Sequence, residues 1–393
     1  MDNISNICNI KVVGVGGGGN NAVNRMVASG IQGAYFVSVN TDTQDLMMSN
    51  ADEVVQIGKE LTRGLGAGSN PEVGKAAAEE NIDDLRRMLK DTNLLFITTG
   101  MGGGTGNGAA PVIARLAKEM GILTIGVVTK PFKFEGPRRA QNAEKGINEM
   151  KQYVDSLVVI PNEKLYTIFN KDVSFADAFS YADDVLLQAI QGVSEVISVN
   201  GLINLDFADV ATIMRDKGMA HMGIGKGRGA NKTIEAVRQA VTSQLLETSI
   251  EGATGILINI TGGRDLTLSE VYEAVDLVRD VADKDCNVIF GANINNDVRG
   301  ETEVTVIATG FEDHERAKQN VPQFKDNSAD FRMFSEQPTA PQQPAPVQEE
   351  LADEEMEEDM NGFKDQVQDI SFESKKPVIS NDDIPPFLRK LQK

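Results

Sequence analysis

Residues 100–108 form a glycine-rich segment that is suited to holding an anion. They read Gly-Met-Gly-Gly-Gly-Thr-Gly-Asn-Gly, follow the apolar run 93–99 and precede the helix-forming stretch 109–114. Glycine lacks the Cβ that keeps backbone N–H groups away from a ligand, and a helix start adds unpaired donors and partial positive charge. Thr105 is the one hydroxyl of the run and can donate to a phosphate oxygen. The order of strand, glycine loop and helix therefore predicts a phosphate site.

A second glycine segment near the N-terminus has the same order. Strand-like residues 10–15 precede four glycines at 16–19 and two asparagines, and residues 22–29 have apolar side chains at helical spacing. Two such loops at the carboxyl ends of strands in one sheet suit a mononucleotide with several phosphates. For the run at 100–108, a flexible hinge between strand and helix is the alternative interpretation, although hinges rarely need this many glycines.

A dinucleotide-binding enzyme is a competing hypothesis for the same segment. Gly14, Gly16 and Gly19 satisfy the G-x-G-x-x-G pattern, and Asp42 follows roughly 20 residues later, as a ribose ligand should. The four consecutive glycines make this match partly automatic, and a dinucleotide fold does not require a second glycine loop. We favour the mononucleotide and keep a nicotinamide or flavin oxidoreductase as the alternative.

The absence of lysine from the glycine run at 100–108 narrows the type of phosphate site. A Walker A loop has lysine followed by serine or threonine at the helix start, and no segment of the chain matches G-x-x-x-x-G-K-[ST]. An ordinary P-loop NTPase is therefore disfavoured. Neutral backbone donors leave most of the charge of a triphosphate uncompensated, so we infer that Mg²⁺ shares the site.

Three polar residues, Asn204, Asp206 and Asp209, follow a long apolar stretch. Carboxylates this close together stay ionised when water or a cation lies between them, and paired carboxylates can polarise a water for attack on phosphorus. The alternative is a solvated loop in which Asp206 or Asp209 is the N-cap of a helix over 210–217. Both interpretations stay open at this point.

The apolar stretch itself predicts a long buried helix from the capping box at Ser174 to the stop at Asn200. If its first turns, with Phe179 and Asp183, line a base pocket, its far end carries the acids away from the phosphates of their own subunit. The acids could then reach the phosphates of a neighbour stacked head to tail. Such heterologous stacking does not close and gives filaments.

The composition limits the class of protein. The net charge is −20, from 58 acidic and 38 basic residues, which argues against nucleic-acid binding and against nonspecific binding to anionic lipid. Cys8 and Cys286 are the two cysteines, so we expect a reducing compartment and no disulfide framework. No leader-like N-terminus and no apolar run of roughly 18 residues are present. We expect a cytoplasmic protein without direct membrane insertion.

Alternating apolar runs and amphipathic stretches predict an α/β protein with a parallel sheet over the first half. The predicted strands there are 10–15, 34–40, 94–99, 122–129 and 157–160. Residues 202–230 look irregular and glycine-rich. A smaller mixed α/β domain is expected to follow, with helices 231–249 and 267–284 and strands 254–261, 287–293 and 302–309.

The C-terminal part has a different character. From about residue 312 proline, glutamine and acidic residues replace the apolar periodicity, which predicts a disordered acidic linker over 312–380. The terminal segment 381–393 again concentrates apolar side chains around two prolines. That pattern favours a docking peptide that folds on a partner, and a frayed terminus is the alternative.

These motifs together resemble the FtsZ family, the bacterial tubulin-like cell-division GTPases. The resemblance covers Ile7 to Gly310 and again Asp382 to Lys390. The run GGGTGNG is similar to the tubulin signature and departs from it at Asn107, where a small hydroxyl residue is usual. Residues 17–21 match the first phosphate loop of the family, residues 68–74 the third, and Asn204, Asp206 and Asp209 the synergy loop.

The resemblance implies a fold and a set of site residues. The implied fold is a tubulin/FtsZ-like α/β architecture in which a Rossmann-like GTPase domain at 1–173 is joined by a central helix at 174–200 to a second domain at 201–311. Phe179 would stack on guanine, and Asp183 would bind the guanine edge, as a carboxylate can accept from both N1–H and the exocyclic amine. The implied nucleotide-binding residues are Gly17, Gly18, Gly19, Asn20, Asn21, Gly104, Thr105, Gly106, Glu135, Arg139, Asn162, Phe179 and Asp183.

The resemblance also implies a mechanism and partners. GTP and Mg²⁺ would bind one subunit, and Asn204, Asp206 and Asp209 of the next subunit would complete the catalytic site, so that hydrolysis to GDP depends on polymerisation. Membrane-tethering and ring-regulating division proteins would bind Asp382–Lys393 at the mid-cell ring. A nucleotide-binding scaffold without hydrolysis and the oxidoreductase are the competing functions.

Overall fold

The structure is a computed structural model that describes residues 8–168, 174–198, 203, 205–243, 250–282, 285–295 and 300–311. Within these ranges the strands are β1 Ile10–Val15, β2 Ala34–Asn40, β3 Glu53–Gln56, β4 Leu94–Gly100, β5 Leu123–Lys130, β6 Ser156–Pro161, β7 Gly218–Arg228, β8 Gly255–Gly262, β9 Asn287–Ile294 and β10 Glu301–Thr309. They form one sheet in the order β3-β2-β1-β4-β5-β6-β7-β10-β8-β9.

The helices flank this sheet. They are α1 Gly16–Ala28, α2 Thr43–Met47, α3 Lys59–Thr62, α4 Pro71–Glu80, α5 Ile82–Met88, α6 Thr105–Glu119, α7 Pro137–Met150, α8 Asn162–Ile168, α9 Phe175–Ser198, α10 Phe207–Met214, α11 Lys232–Val241 and α12 Leu268–Val281. The start of α4 follows the sequence signal, because Asn70 accepts from the Glu72 N–H at 3.1 Å and Pro71 is the first helical residue.

The first half of the sheet is parallel from β3 to β6 and is covered on both faces. Alternate residues of its strands pack against α1 and α9 on one face and against α4 to α7 on the other. β1 and β4 are neighbours, and α1 and α6 follow them directly. The two glycine segments therefore meet at the same edge of the sheet, as the sequence predicts.

The second half is mixed. β7, β10 and β8 pair antiparallel, β9 joins β8 in parallel, and α11 and α12 pack on one face. The two halves of the sheet are joined by β6 and β7, which pair over Ser156–Val158 and Gly218–Ala220. The mostly parallel α/β architecture confirms the predicted fold class, and every predicted strand lies within one residue of an observed strand at each end.

The long central helix is confirmed as α9. Its first turn is held by Ser174, whose Oγ accepts from the Asp177 N–H at 3.2 Å. Buried residues such as Val185, Ile190 and Val193 join the core of both halves, since α9 packs on α1 and β5 and also on β8, β9 and β10. The helix thus connects the two halves through side-chain packing.

The prediction that residues 202–230 are irregular is wrong, because α10 and the strand β7 lie within them. Gly223, Gly225 and Gly227 alternate along β7 on the face that meets α11. A Cβ at these positions would lie 1.8–1.9 Å from backbone carbonyl oxygens of α11. The glycines therefore allow close packing of helix on strand and do not mark a loop. The short strand β3 was also missed.

The described residues do not test every prediction made from the sequence. The acidic linker 312–380 and the docking peptide 381–393 lie outside the described residues, and the domain limits stay predictions. Cys8 and Cys286 are not joined in a disulfide. Among the residues that the structure describes, no helix has both the length and the apolar character needed to cross a membrane.

Candidate functional site

A cavity of about 430 Å³ lies at the carboxyl ends of β1, β2, β4 and β5, where parallel sheets place their ligands. It brings together residues that are far apart in sequence, from the starts of α1 and α6 to the first turns of α9. The predicted residues that line it are Gly17, Gly18, Asn21, Gly104, Thr105, Gly106, Glu135, Arg139, Asn162, Phe179 and Asp183.

Two helix starts supply the anion-binding character of the cavity. α1 begins at Gly16 and α6 at Thr105, and neither has a side-chain hydrogen bond to its N-cap or an acidic residue in its first turn. The N–H groups of both first turns therefore stay available to a ligand, and both helix dipoles place positive potential there. The glycines at 16–19 form the first turn of α1, which corrects the expectation of a loop before the helix.

Thr105 is oriented by a second hydroxyl. Its Oγ lies 2.6 Å from the Oγ of Thr41, which is buried just after β2. A hydroxyl is both donor and acceptor, so Thr105 can accept from Thr41 and still donate into the cavity. This arrangement suits a negatively charged oxygen near the start of α6.

A polar network after β2 brings two carboxylates to the cavity wall. Asn40 donates through Nδ2 to Asp45 Oδ2 at 3.0 Å and to Asn20 Oδ1 at 3.1 Å, and its Oδ1 accepts from the Thr41 N–H at 2.8 Å. Asp45 and Asp42 both line the cavity. The described residues contain no cluster of three or more His, Cys, Asp or Glu side chains that could hold a metal alone.

Two carboxylates beside a phosphate cradle nevertheless fit Mg²⁺. That ion keeps several waters and takes its remaining ligands from one or two carboxylates and from phosphates of the substrate. Asp42 and Asp45 supply this donor set without a dedicated protein cage. The residues present are therefore compatible with the predicted ion.

The remaining lining residues include an ion pair, a buried amide and an aromatic ring. Glu135 and Arg139 form an ion pair across the first turn of α7, and Glu135 Oε1 also accepts from the Phe132 N–H at 2.9 Å. Asn162 is 5% exposed, and its Oδ1 has no hydrogen-bond partner among the described residues. The ring of Phe179 meets Phe132 edge to face at a centroid distance of 5.4 Å. A buried acceptor beside an aromatic ring suits a sugar and a planar base.

Asp183 is a cavity residue whose carboxyl pKa is strongly raised. Burial raises the pKa of its carboxyl from 3.8 to about 6, Arg25 lowers it, and Asp184 raises it. Arg25 on α1 forms a two-point ion pair with Asp184, in which Nη2 donates to Oδ2 at 2.9 Å. Asp183 is thus ionised at neutral pH although partly desolvated, and it offers two acceptor oxygens to the cavity.

Two predicted residues lie behind the cavity lining. A Cβ at Gly19 would lie 2.5 Å from the carbonyl oxygen of Thr98, so this glycine serves the contact of α1 with β4. Asn20 is buried in the network with Asn40, and its Nδ2 has no partner among the described residues. Both support the site through packing and do not face it.

The predicted acids are not at the cavity. Asp206 is the N-cap of α10, where its Oδ1 accepts from the Asp209 N–H at 2.8 Å, and Asp209 Oδ2 accepts from the Asp206 N–H at 3.4 Å. This capping box shows that Asp206 is the N-cap and Asp209 its reciprocal partner. Asn204 lies outside the described residues. The cavity is therefore lined without Asp206 and Asp209 of its own chain.

Sequence reasoning missed several lining residues. The sequence patterns do not indicate Asn40 or Asp45, and they indicate Asp42 only as a ribose ligand of the dinucleotide hypothesis. Their position directly after β2, a neighbour of β1, was the available signal, because ligands bind beyond the carboxyl ends of adjacent parallel strands. Thr129 at the end of β5 could have been found by the same rule.

Comparisons with known proteins agree with this geometry. Residues 9–170 match the GTPase domain of the Tubulin/FtsZ family, and residues 218–312 match the C-terminal domain of the FtsZ family. An FtsZ dimer from M. jannaschii is 45% identical, covers 78% of this chain and 89% of its own, and superposes with a TM-score of 0.75. At the level of the fold, GDP-bound CetZ1 from Haloferax volcanii is also similar, with 21% identity, coverage of 79% and 97%, and a TM-score of 0.68.

Replacing Asp183 by Asn is expected to stabilise the nucleotide-free protein at neutral pH. The pKa of Asp183 is about 6 in the folded protein and ordinarily 3.8. Below about pH 4 the carboxyl is protonated and burying it costs no stability, whereas the folded protein loses stability as the pH rises through 6 and the buried carboxyl ionises. An asparagine stays neutral and avoids this loss. Urea unfolding from pH 4 to 8 should show a gain of about 1–3 kcal/mol at pH 7.5 that vanishes near pH 4.

The control is Asp276→Asn on the exposed face of α12, which should change the free energy of unfolding by less than about 0.5 kcal/mol at every pH. A gain for Asp183→Asn that is the same at pH 4 and pH 7.5 would contradict the electrostatic assignment.

Proposed function

The chain belongs to the FtsZ family, and from this premise we propose that it is a self-assembling GTPase that polymerises head to tail into filaments of the bacterial cytokinetic ring. GTP is hydrolysed at the interface between subunits, and the acidic loop is supplied in trans. One observation supports the proposal most directly. The cavity is lined by groups that can bind a base and phosphates, whereas Asp206 and Asp209 of the same chain lie at the start of α10 and do not line it.

The cavity supports guanine as the base. Asp183 presents a carboxylate, which can accept from both N1–H and the exocyclic amine of guanine, and adenine offers no such pair of donors. Phe179 at the same wall provides a ring on which the base stacks. We assign Glu135 and Asn162, which line the same cavity, to the ribose, and Arg139 to the ribose or a phosphate.

The phosphates would occupy the half of the cavity formed by the two helix starts. Gly17, Gly18 and Asn21 of α1 face Gly104, Thr105 and Gly106 of α6, and these residues offer neutral donors to the phosphate oxygens. Asp42 and Asp45 would hold Mg²⁺, which neutralises charge on the phosphates when it is bound. The protein itself supplies orientation and a dipolar environment.

Hydrolysis then requires a second subunit. We assign to Asn204, Asp206 and Asp209 of that subunit the role of positioning and polarising the attacking water. The capping box uses Oδ1 of Asp206 and Oδ2 of Asp209, so the other oxygen of each carboxylate lies outside the cap and can accept from a water. Loss of the γ-phosphate removes contacts at the interface and weakens it.

The rim of the cavity favours assembly. Met47, Met48 and Leu65 are 77–82% exposed, and they adjoin the lining residues Asp45 and Gly66. Exposed large apolar side chains next to a binding cavity are consistent with a surface that another protein covers. The FtsZ of M. jannaschii forms a dimer, which supports a second copy of this chain as the partner.

The alternative functions lack comparable support. The oxidoreductase is disfavoured because residues 9–170 match the GTPase domain of the Tubulin/FtsZ family. A scaffold without hydrolysis would use Asp206 and Asp209 only for the capping box of α10, and the free oxygen of each carboxylate would then have no role. The net charge of −20 disfavours nucleic acid as a partner.

The first test measures GTP hydrolysis against protein concentration, with light scattering in parallel. A self-assembling GTPase should show a threshold below which both turnover per subunit and scattering are near zero, because the catalytic site is complete only in the polymer. ATP serves as the control nucleotide. Turnover per subunit that is independent of concentration would refute polymerisation-dependent hydrolysis.

The second test separates binding from catalysis. Asp209→Ala should bind GTP with the affinity of the wild type in the monomer and should lose at least about 100-fold in turnover, since a positioned acid or base contributes roughly 10²–10⁴-fold. Glu270→Ala removes the matching acid from the capping box of α12 and reports the stability cost of such a cap. Weaker GTP binding by monomeric Asp209→Ala would contradict the assignment in trans.

The C-terminal region has a separate role in the proposal. The acidic linker 312–380 would keep filaments at a distance from a membrane-attached partner, and Asp382–Lys393 would dock to membrane-tethering and ring-regulating division proteins. The protein would then act in the cytoplasm at the mid-cell ring. These assignments rest on the acidic composition of the linker and on the apolar character of the terminal segment.

Deleting residues 382–393 should leave GTPase activity and the assembly threshold within about twofold of the wild type, because a docking peptide contributes nothing to the subunit interface. Sedimentation of polymers and recruitment of polymers to membranes bearing a tether would be measured together. A rise in the assembly threshold would contradict the docking role.

A further inference from the structure

Asn107 joins the glycine segment to a neighbouring helix. It is the third residue of α6, is 3% exposed, and accepts through Oδ1 from the Gly102 N–H at 3.0 Å. Its Nδ2 donates to the Asn142 carbonyl oxygen of α7 at 2.9 Å. One orientation of the amide satisfies both bonds, because one partner is a donor and the other an acceptor.

The space for this side chain is provided by α7. A Cβ at Gly146 would lie 2.5 Å from Oδ1 of Asn107, so any larger residue there displaces the amide. A Cβ at Gly102 would lie 2.7 Å from the carbonyl oxygen of Arg139, so the glycine segment and α7 are in direct backbone contact. Gly146 and Asn107 are therefore complementary in size.

The contacts connect two parts of the cavity wall. Gly103 and Gly104 line the cavity on one side, and Arg139, one helical turn before Asn142, lines it on the other. Gly102 itself does not line the cavity, which is consistent with its N–H being used by Asn107.

We propose that Asn107 is a positioning residue whose amide clamps the glycine segment to α7 and so sets the spacing between the phosphate donors of 103–106 and Arg139. The proposal rests on the function proposed above, because the nucleotide phosphates are what the clamp positions. A small hydroxyl residue, usual here in the family that the sequence resembles, is too short to bridge Gly102 and Asn142 in the same way.

A purely structural role would lower stability and leave relative affinities unchanged, so the test compares ligands with and without phosphates. Asn107→Ser should weaken GTP binding about tenfold, as expected for the loss of two hydrogen bonds, and should change guanosine binding by less than about twofold. Asn259→Ser is the matched control, because Asn259 is also a buried asparagine but lies on β8, where it does not contact the glycine segment. It should leave the ratio of GTP to guanosine affinity unchanged.

A double-mutant cycle tests the complementarity. Gly146→Ala should weaken GTP binding about three- to tenfold in the wild-type background and by less than about twofold in the Asn107→Ser background, where the displaced amide is gone. Additive effects of the two substitutions would overturn the proposal, as would an unchanged ratio of GTP to guanosine affinity in Asn107→Ser. If Asn107→Ser does not fold, the ratio of GTP to guanosine affinity is measured in Gly146→Ala instead.

A nucleotide-free measurement distinguishes failure of this proposal from failure of the proposed function. Hydrogen exchange at the Gly102 amide should speed up at least about fivefold in Asn107→Ser, in line with the loss of one hydrogen bond. If the wild type does not bind GTP, the proposed function fails and the exchange result still decides whether the clamp exists. Unchanged exchange at Gly102 would overturn the clamp.

Discussion

The first-turn N–H groups of α1 and α6 face one cavity, and no N-cap side chain accepts from them. This arrangement determines which residues the surrounding segments can contain. The helix starts approach so closely that a Cβ at Gly16 would lie 2.9 Å from the Gly106 nitrogen. A third segment joins them, because a Cβ at Gly74 would lie 2.3 Å from the carbonyl oxygen of Gly104. The glycines are thus needed where three stretches of backbone meet, as well as where a ligand would bind.

The fold was largely accessible from the sequence because its strands are short apolar runs bounded by turns. The predicted strands at 10–15 and 34–40 coincide with β1 and β2, and the helix after Ser174 is α9. The main failure was β7, whose glycines resemble a loop until α11 is seen packed against them. The packing of a helix directly on a strand is a tertiary constraint, and it cannot be predicted from local residue propensities.

The site was accessible in part, for a similar reason. Thr105 is identified by its type and position, Asp183 is identified through the resemblance to the FtsZ family, and both line the cavity. The polar network of Asn40 and Asp45 was missed because it depends on the packing of β2 beside β1. The fit of Asn107 to Gly146 joins residues that sequence reading does not connect. Local patterns reveal which groups could do chemistry, and long-range packing decides which of them face the ligand.

The alternation of glycines with larger residues along β7 also limits which positions of this strand can be substituted. Substitution at Gly223, Gly225 or Gly227 brings a side chain against the backbone of α11, a conflict that no rotamer relieves. Lys226 and Arg228, which alternate with these glycines, are exposed and carry surface ion pairs of small energetic weight. Drift among descendants of this sequence should therefore spare Gly223, Gly225 and Gly227 and should be freest at Lys226 and Arg228, since Met222 is also buried in the core.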